Sequence, residues 1–269
     1  MKNINMLETE GNIDGVGNIQ VRRDSNSVQV VTNAIETNFK GCDMVLTLFI
    51  AALNSYRSDH CLRPFPSNFI KDNVKDISRL RNLCDKIPPL EEFLAQPLIC
   101  SDEMLLLLSW LFVEKSFPSL ELLPFSSNIL PNNIPDFYKP QFVFEVHYHP
   151  KIEELFKFRK GDKDVILAYH GSHIDNFYSI LKVGLQQHFS LEKETLFGKG
   201  IYLSSECSVS GHYSPFGQTW KNSSLGNKHS IIAICEIIND IHKVKCKDSD
   251  NRNRSINENS TAEVRRNTL

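Results

Sequence analysis

The chain has 269 residues, 41% of them hydrophobic, which is enough to bury one large core or two small ones. Its net charge of -2 argues against direct binding of nucleic acid, which requires a strongly basic surface. The seven cysteines include no C-x-x-C pair, so neither a disulfide framework nor a zinc site is indicated and a reducing, cytoplasmic environment is expected.

The N-terminal segment, residues 1–38, is rich in Asn, Gly and Asp, and we expect it to be disordered because it has no core-forming pattern. It also lacks the apolar stretch of a secretory signal. The most apolar runs of the chain, 44–53 and 104–113, fall well short of the roughly twenty residues that a membrane-spanning helix needs. Both are therefore predicted to be buried helices of a globular domain.

Residues 39–125 are predicted to form a compact all-helical domain. Apolar residues between Val45 and Leu53 recur on one helical face, and Pro64 and Pro66 end this region because proline cannot donate into the helical ladder. Further helical stripes follow at 77–84, 90–94 and 104–115. Prolines then punctuate residues 126–139, which we interpret as a linker.

Beyond the linker the periodicity changes from that of a helix to that of a strand. Apolar and polar residues alternate over 142–149, which predicts an amphipathic strand. Short apolar runs of strand type follow at Val165–Tyr169, Ile201–Leu203 and Ile231–Ile238. The last run is apolar on both faces, as in an interior strand. A helix is predicted between the first two runs, with Gly184 as its C-terminal cap.

The predicted fold class is α+β, with the N-terminal helical domain packed on a mixed, mostly antiparallel sheet formed by residues 140–243. Residues 244–269 are rich in Asn, Asp, Ser and Arg, and we expect them to be disordered. This basic tail lacks the interleaved aromatic residues typical of RNA binding. It also lacks residues that pack on a sheet, so we expect one edge of Ile231–Ile238 to be open and the sheet domain to be incomplete.

A His-Gly-Ser motif, His170 to Ser172, stands at the predicted end of the first interior strand. A histidine at a strand end can bond a sugar hydroxyl, and Gly171 leaves its backbone N–H and C=O open to a carboxamide group. A purely structural role is the alternative, because Ser172 followed by Asp175 fits a capping box at the start of the next helix.

Two further motifs follow. The segment Gly198–Ser204 has the pattern GxGxYxS, which lacks the spacing of a phosphate-binding P-loop; an ordinary tight turn before a strand is the alternative interpretation. Ser210 and Tyr213 are three residues apart, so they are expected on one helical face, where a hydroxyl beside an aromatic ring suits a flat polar ligand. Each motif alone is common, and their ordered occurrence between strands carries the functional interpretation.

These motifs resemble the NAD-binding half of ADP-ribosyltransferases in the poly(ADP-ribose) polymerase superfamily. The positions that correspond to the family's site are His170, Gly171, Ser172, Tyr202, Ser204, Ser210 and Tyr213. By resemblance, His170 and Tyr202 are the catalytic-motif residues, and His170 bonds the 2′-hydroxyl of the adenosine-side ribose. The resemblance implies NAD+ as a substrate and requires no metal.

The same resemblance assigns the nicotinamide pocket. Gly171 and Ser210 correspond to positions that bind the carboxamide, and Tyr202 and Tyr213 to positions that flank the ring. Ser204 corresponds to a small residue that lines the pocket.

Additional sequence features narrow the resemblance to the tail-anchored, endoplasmic-reticulum branch of mono-ADP-ribosyltransferases. They are Leu62–Pro66, Tyr213–Gly217, Trp220 and Cys235–Ile238. The branch implies transfer to protein acceptors at the cytosolic face of the endoplasmic reticulum. No C-terminal anchor is found in this sequence, so membrane contact is expected only if the full-length form carries one.

The family's third motif residue lies on a later strand and is a glutamate in polymerising members. The late glutamates, Glu258 and Glu263, stand in polar sequence without a strand pattern. We therefore predict a mono-ADP-ribose product and never a chain. The alternative is a catalytically weak or inactive NAD-pocket protein that serves as an interaction module.

Two other kinds of site compete with this interpretation. Cys207 and His212 could form a thiol nucleophile and base, but no third orienting group accompanies them. His147 and His149, on one face of the predicted strand, could bind a metal, although an exposed strand face is the simpler interpretation.

Overall fold

The computed structural model describes residues 25–114, 117–124, 134–186, 200–240 and 244, and the backbone of 264–268. Its first half is helical, with α1 at Ser25–Thr37, α2 at Phe39–Asn54, α3 at Ser58–Cys61, α4 at Ile77–Cys84, α5 at Leu90–Ala95 and α6 at Asp102–Phe112. A short hairpin, β1 at Ile70–Lys71 and β2 at Val74–Lys75, lies between α3 and α4. Single 3₁₀ turns occur at Ser67–Phe69, Pro97–Ile99 and Asp136–Tyr138. The four helices predicted between residues 39 and 125 are therefore confirmed, as α2, α4, α5 and α6.

The centre of the helical half is α2, which is buried from Gly41 to Leu53 because most of these residues are apolar. Asn38 caps it: the side-chain oxygen accepts a hydrogen bond from the backbone N–H of Gly41 at 3.1 Å. The amide nitrogen of Asn38 donates to the carbonyl oxygen of Leu120 at 2.8 Å, outside the helical region. At the other end, the Arg81 guanidinium donates to the carbonyl oxygen of Leu53.

The second half contains a five-stranded sheet. Its strands are β3 at Ser119–Leu122, β4 at Phe144–His147, β5 at Val165–Gly171, β8 at Ile232–Ile238 and β9 at Val264–Thr268, in the order β3-β4-β9-β8-β5. This half also contains a short strand pair, β6 at Gly217–Gln218 and β7 at Lys228–His229. Its three helices are α7 at Pro150–Lys160, α8 at Ile174–Val183 and α9 at Cys207–Gly211. Every strand pairing in the described ranges is antiparallel, so the α+β fold class is confirmed.

The expectation of disorder throughout residues 1–38 is wrong for residues 25–38. Helix α1 occupies most of this range, and its Val31 and Ile35 side chains are fully buried against the helical core. Val28, Val31 and Ile35 follow helical spacing in an otherwise polar sequence, so a few apolar residues are enough to dock the helix. Residues 1–24 lie outside the described ranges.

The predicted all-helical domain, residues 39–125, also requires correction. Strand β3 lies within it and pairs with β4, with Leu120 opposite Val146. Leu120 is fully buried, and its carbonyl oxygen receives the hydrogen bond from Asn38. The sheet therefore begins before the predicted linker, of which residues 126–133 lie outside the described ranges.

The predicted disordered tail, residues 244–269, contains β9. This strand pairs with β8 on one side and β4 on the other, with Glu236 opposite Arg265 and Glu145 opposite Thr268. The prediction of an interior strand at Ile231–Ile238 is confirmed by β8, but the expected open edge is occupied by β9. Glu258 and Glu263 lie outside the described residues.

Two local predictions near the site have opposite outcomes. Gly184 caps α8 as predicted, with a φ of 101° and its N–H bonded to the carbonyl oxygen of Ile180. Ile201–Leu203, in contrast, is not a ladder strand. The next residue, Ser204, makes one antiparallel bridge to Tyr169 of β5.

Helix α8 packs against α2 and α3, which joins the helical half to the sheet. The Phe49 ring of α2 meets the Tyr178 ring of α8 edge-on, with centroids 5.4 Å apart. A second contact is polar: the buried carboxylate of Asp43 accepts hydrogen bonds from the hydroxyls of Ser223 and Ser224. Among the helices of the described ranges, none has the length and apolar character needed to cross a bilayer.

Candidate active site

The predicted site residues lie around the C-terminal end of β5. The Tyr169 carbonyl oxygen accepts a hydrogen bond from the backbone N–H of Ser204 at 3.0 Å and another from the Ser210 hydroxyl at 2.9 Å. The Tyr169 N–H donates to the Ser204 carbonyl oxygen at 2.7 Å. One peptide of β5 thus fixes the segment after Gly200 and helix α9 at the same place.

His170 is held by the same segment. Its Nδ1 lies 3.0 Å from the carbonyl oxygen of Tyr202. A carbonyl can only accept, so Nδ1 carries the proton, and in the neutral ring Nε2 is then the nitrogen that can accept a hydrogen bond. The backbone of Tyr202, another predicted site residue, thus orients the His170 imidazole.

Gly171 is required by a close approach of two backbones. A Cβ at this position would overlap the carbonyl oxygen of Ser210 and would come within 3.0 Å of the Ser214 hydroxyl. Glycine therefore lets the His-Gly-Ser segment lie directly on the end of α9. Ser210 itself is buried, with 4% of its surface exposed.

Ser172 does not form the predicted capping box. Helix α8 begins at Ile174, after His173, and has no side-chain cap. The Ser172 hydroxyl instead accepts a hydrogen bond from the Asn176 amide at 2.9 Å, while the Asp175 carboxylate accepts one from Ser55 at 2.6 Å. Ser172 and Asp175, the two residues of the predicted capping box, therefore bond to Asn176 and Ser55 and do not cap α8.

Ser214 is a buried residue beside the site that is not among the predicted site residues. Its hydroxyl accepts a hydrogen bond from the backbone N–H of Ser172 at 3.1 Å and donates to the carbonyl oxygen of Ile231 at 2.7 Å. The Ser230 hydroxyl donates to the carbonyl oxygen of Ser214 at 2.6 Å. These partners are distant in sequence, so the only sequence feature that could have pointed to Ser214 is its position directly after Tyr213.

The two tyrosines of the predicted pocket are exposed. Tyr202 is 39% exposed and Tyr213 is 61% exposed. Tyr213 directly follows the turn of α9, since its N–H donates to the Ser210 carbonyl oxygen at 3.1 Å. The structure therefore brings the two tyrosine-bearing segments to the end of β5, where both tyrosines are partly exposed.

The structure does not support a thiol nucleophile at Cys207. This side chain is buried, and burial raises the pKa of its thiol, which opposes formation of the reactive thiolate. His212, the candidate base, donates from Nδ1 to the Ser208 carbonyl oxygen at 2.6 Å. Each group is thus held in a structural role.

The two histidines considered as metal ligands do not share a strand face. His147 ends β4 and lies 3.0 Å from the Glu121 carboxylate on β3. His149 caps α7, accepting from the Lys151 N–H at 3.3 Å. The described ranges contain no group of three or more His, Cys, Asp or Glu side chains placed to hold a metal ion.

Comparison with known proteins gives two family matches. The profile of the ARTD15 N-terminal domain matches residues 33–112. The profile of the poly(ADP-ribose) polymerase catalytic domain matches residues 130–267. The second match extends through most of β9, in agreement with its pairing to β8.

Individual relatives agree with these profiles. Protein mono-ADP-ribosyltransferase PARP16 of Mus musculus is 36% identical over 227 residues, which cover 79% of this chain and 68% of the relative. PARP16 of Homo sapiens is 35% identical over 215 residues, which cover 76% of this chain and 64% of the relative. Protein mono-ADP-ribosyltransferase PARP8 of Mus musculus is 25% identical over 210 residues, 71% of this chain and 24% of the relative.

The chain spans about two thirds of the length of the PARP16 relatives. The catalytic-domain match covers the whole His170–Tyr213 site and more than half of the chain. The chain therefore belongs to the poly(ADP-ribose) polymerase catalytic-domain family and is an ADP-ribosyltransferase by class.

Proposed function

We propose that this protein binds NAD+ at the end of β5 and transfers one ADP-ribose from it to a protein side chain, with release of nicotinamide. The observation that carries the proposal is the junction at Tyr169, where one carbonyl oxygen ties Ser204 and Ser210 to the His-Gly-Ser segment. Three motifs separated in sequence thus meet at one residue of β5, in a chain of this family.

The nicotinamide end of NAD+ fits the polar base of this site. A carboxamide needs one donor and one acceptor side by side, and a backbone without a side chain at Gly171 can offer both. The Ser210 hydroxyl has donated its hydrogen to Tyr169, so it meets a ligand as an acceptor for the carboxamide NH₂. The exposed rings of Tyr202 and Tyr213 supply faces for the nicotinamide ring.

His170 is suited to the ribose rather than to the ring. With Nδ1 donating to Tyr202, Nε2 of the neutral imidazole accepts a hydrogen bond from a hydroxyl such as that of the adenosine-side ribose. Ser172 and Ser204 lie on the two segments that this contact joins, and we place them as lining residues of the same pocket.

The transfer breaks one bond and forms one. The bond between C1′ of the ribose and the nicotinamide nitrogen breaks, and its electron pair neutralises the positively charged ring as nicotinamide departs. A nucleophilic atom of the acceptor forms the new bond to C1′, and any proton it carried passes to solvent. The site contributes by holding the ring and the ribose in one orientation while positive charge develops at C1′.

A single transferred unit is proposed because the PARP16 relatives are mono-ADP-ribosyltransferases by name. Glu258 and Glu263, the glutamates considered for a chain-elongating role, lie outside the described residues. Protein acceptors are the proposed partners. Location at the cytosolic face of the endoplasmic reticulum is proposed for a form that carries a membrane anchor.

Ligand binding tests the pocket. We expect NAD+ and nicotinamide to raise the melting temperature of the parent protein, because a ligand that binds only the folded state stabilises it by mass action. His170→Ala should lose most of the NAD+ effect. His173→Ala is a matched control, since His173 is exposed and its side chain does not cap α8. Equal NAD+ stabilisation of both variants would contradict the assignment of His170.

A further inference from the structure

Asn176, on the first turn of α8, is bonded on both sides of its amide. Its Nδ2 donates to the Ser172 hydroxyl at 2.9 Å. Its Oδ1 accepts from the Cys61 thiol at 3.3 Å. The two hydrogen bonds together tie this side chain to Cys61 on one side and to Ser172 on the other.

The Cys61 side of this contact belongs to the helical half of the protein. Cys61 is the last residue of α3 and has 1% of its surface exposed. Burial raises the pKa of its thiol, so the sulfur keeps the proton that it donates. A second bond also connects the helical half to α8, since the hydroxyl of Ser55, the residue that follows α2, donates to the Asp175 carboxylate at 2.6 Å.

The Ser172 side of the contact belongs to the candidate site. Ser172 follows Gly171, and its N–H donates to the Ser214 hydroxyl, which in turn donates to the Ile231 carbonyl oxygen. A continuous series of hydrogen bonds therefore runs from α3, through Asn176, to the His-Gly-Ser segment and the start of β8.

We infer that Asn176 is a positioning residue that fixes the His170–Ser172 segment for NAD+, and that the helical half sets the affinity of the site through it. The predicted change in NAD+ affinity rests on the proposed function, whereas the predicted change in the mobility of Ser172 does not. Asn176 reaches the site only through the Ser172 hydroxyl, so its contribution is to the alignment of the segment.

The test compares Asn176→Ala with Asn222→Ala. Asn222 is a matched control because its amide also crosses from the sheet half to the helical half, donating to the Ile87 carbonyl oxygen at 2.8 Å, without a bond to the His-Gly-Ser segment. We expect Asn176→Ala to speed hydrogen exchange at the Ser172 amide and to weaken NAD+ binding roughly fivefold, the factor that one hydrogen bond contributes. Asn222→Ala should change neither, even if both variants lose similar thermal stability.

Substitution of Cys61 provides a second route to the same contact. Cys61→Ala removes the donor and should reproduce the faster Ser172 exchange, whereas Cys61→Ser retains a donor and should restore protection. If the Ser172 amide exchanges equally in Asn176→Ala and Asn222→Ala, the positioning role is wrong. If the parent protein does not bind NAD+ at all, the proposed function is wrong, and the exchange data still decide the role of Asn176.

Discussion

At the scale of single residues, the site depends on one glycine and one buried serine that bring separate segments into contact. Gly171 allows its backbone to lie on that of Ser210, and Ser214 joins Ser172 to Ile231. Both residues contribute to the shape of the site without a side-chain contact to a ligand. Their role is to set the distance between β5, α9 and β8.

Gly171→Ala should disrupt this packing. Its Cβ would overlap the Ser210 carbonyl oxygen, and we expect a loss of about 1–3 kcal/mol in the free energy of unfolding, the usual cost of overpacking. Gly200→Ala is the matched control, because a Cβ there meets nothing within 4 Å. Urea denaturation measures both. Equal stability of the two variants would show that the segments are not in close contact.

Tyr213→Ala should weaken ligand binding without unfolding the protein. The ring is 61% exposed, so its removal leaves the core intact, and loss of stacking costs about 0.5–1.5 kcal/mol of binding free energy. Calorimetric titration with a benzamide-type probe should show a several-fold higher Kd. Tyr56→Ala, at a position 91% exposed and in the helical half, serves as the control. A Tyr213 variant with the parental Kd would exclude this ring from the pocket.

At the scale of elements, the helices and strands that could be predicted are those whose own residues carry a clear hydrophobic pattern or a cap. Helix α4 has the predicted bounds, 77–84, because a capping residue precedes it and an apolar stripe runs along it. Strand β8 was predicted as interior because it is apolar on both faces. Strand β9, in contrast, has a polar sequence and lies between β4 and β8, which pair with it. No local pattern predicts such a strand.

Helix α1 provides a test at the level of one element. Ile35 is fully buried, and Ile35→Ala should lower the free energy of unfolding by about 2–5 kcal/mol. Val30→Ala on the same helix should cost less than about 0.5 kcal/mol, because Val30 is 38% exposed. Denaturant midpoints give both values. Similar small losses would mean that α1 does not dock on the core.

At the scale of the whole molecule, the helical and sheet halves share one interface. Apolar contact between α2 and α8 is joined by polar contacts at Asp43 and at Asn176. The site motifs were predictable because they are contiguous in sequence, and the sequence resemblance correctly identified their family. The bonds that connect them to the helical half were not predictable, because Cys61, Asn176 and Ser214 come together only through the packing of α3, α8 and α9.

The shared interface predicts one cooperative unfolding transition. The chain has two tryptophans, Trp110 in the helical half and Trp220 in the sheet half, which allows each half to be followed by fluorescence. Trp110→Phe and Trp220→Phe variants should each unfold in one transition, seen at the same denaturant concentration by fluorescence and by circular dichroism. Separate transitions would show that the halves fold independently.

The most direct test of the account is transfer from labelled NAD+, followed on denaturing gels with the parent protein, His170→Ala and His173→Ala. We predict a single modified band of unchanged sharpness in the parent and in His173→Ala, with release of nicotinamide in equal amount, and no band in His170→Ala. A high-molecular-weight smear that depends on His170 would contradict mono-ADP-ribosylation. Labelling that is equal in all three proteins would contradict the site itself.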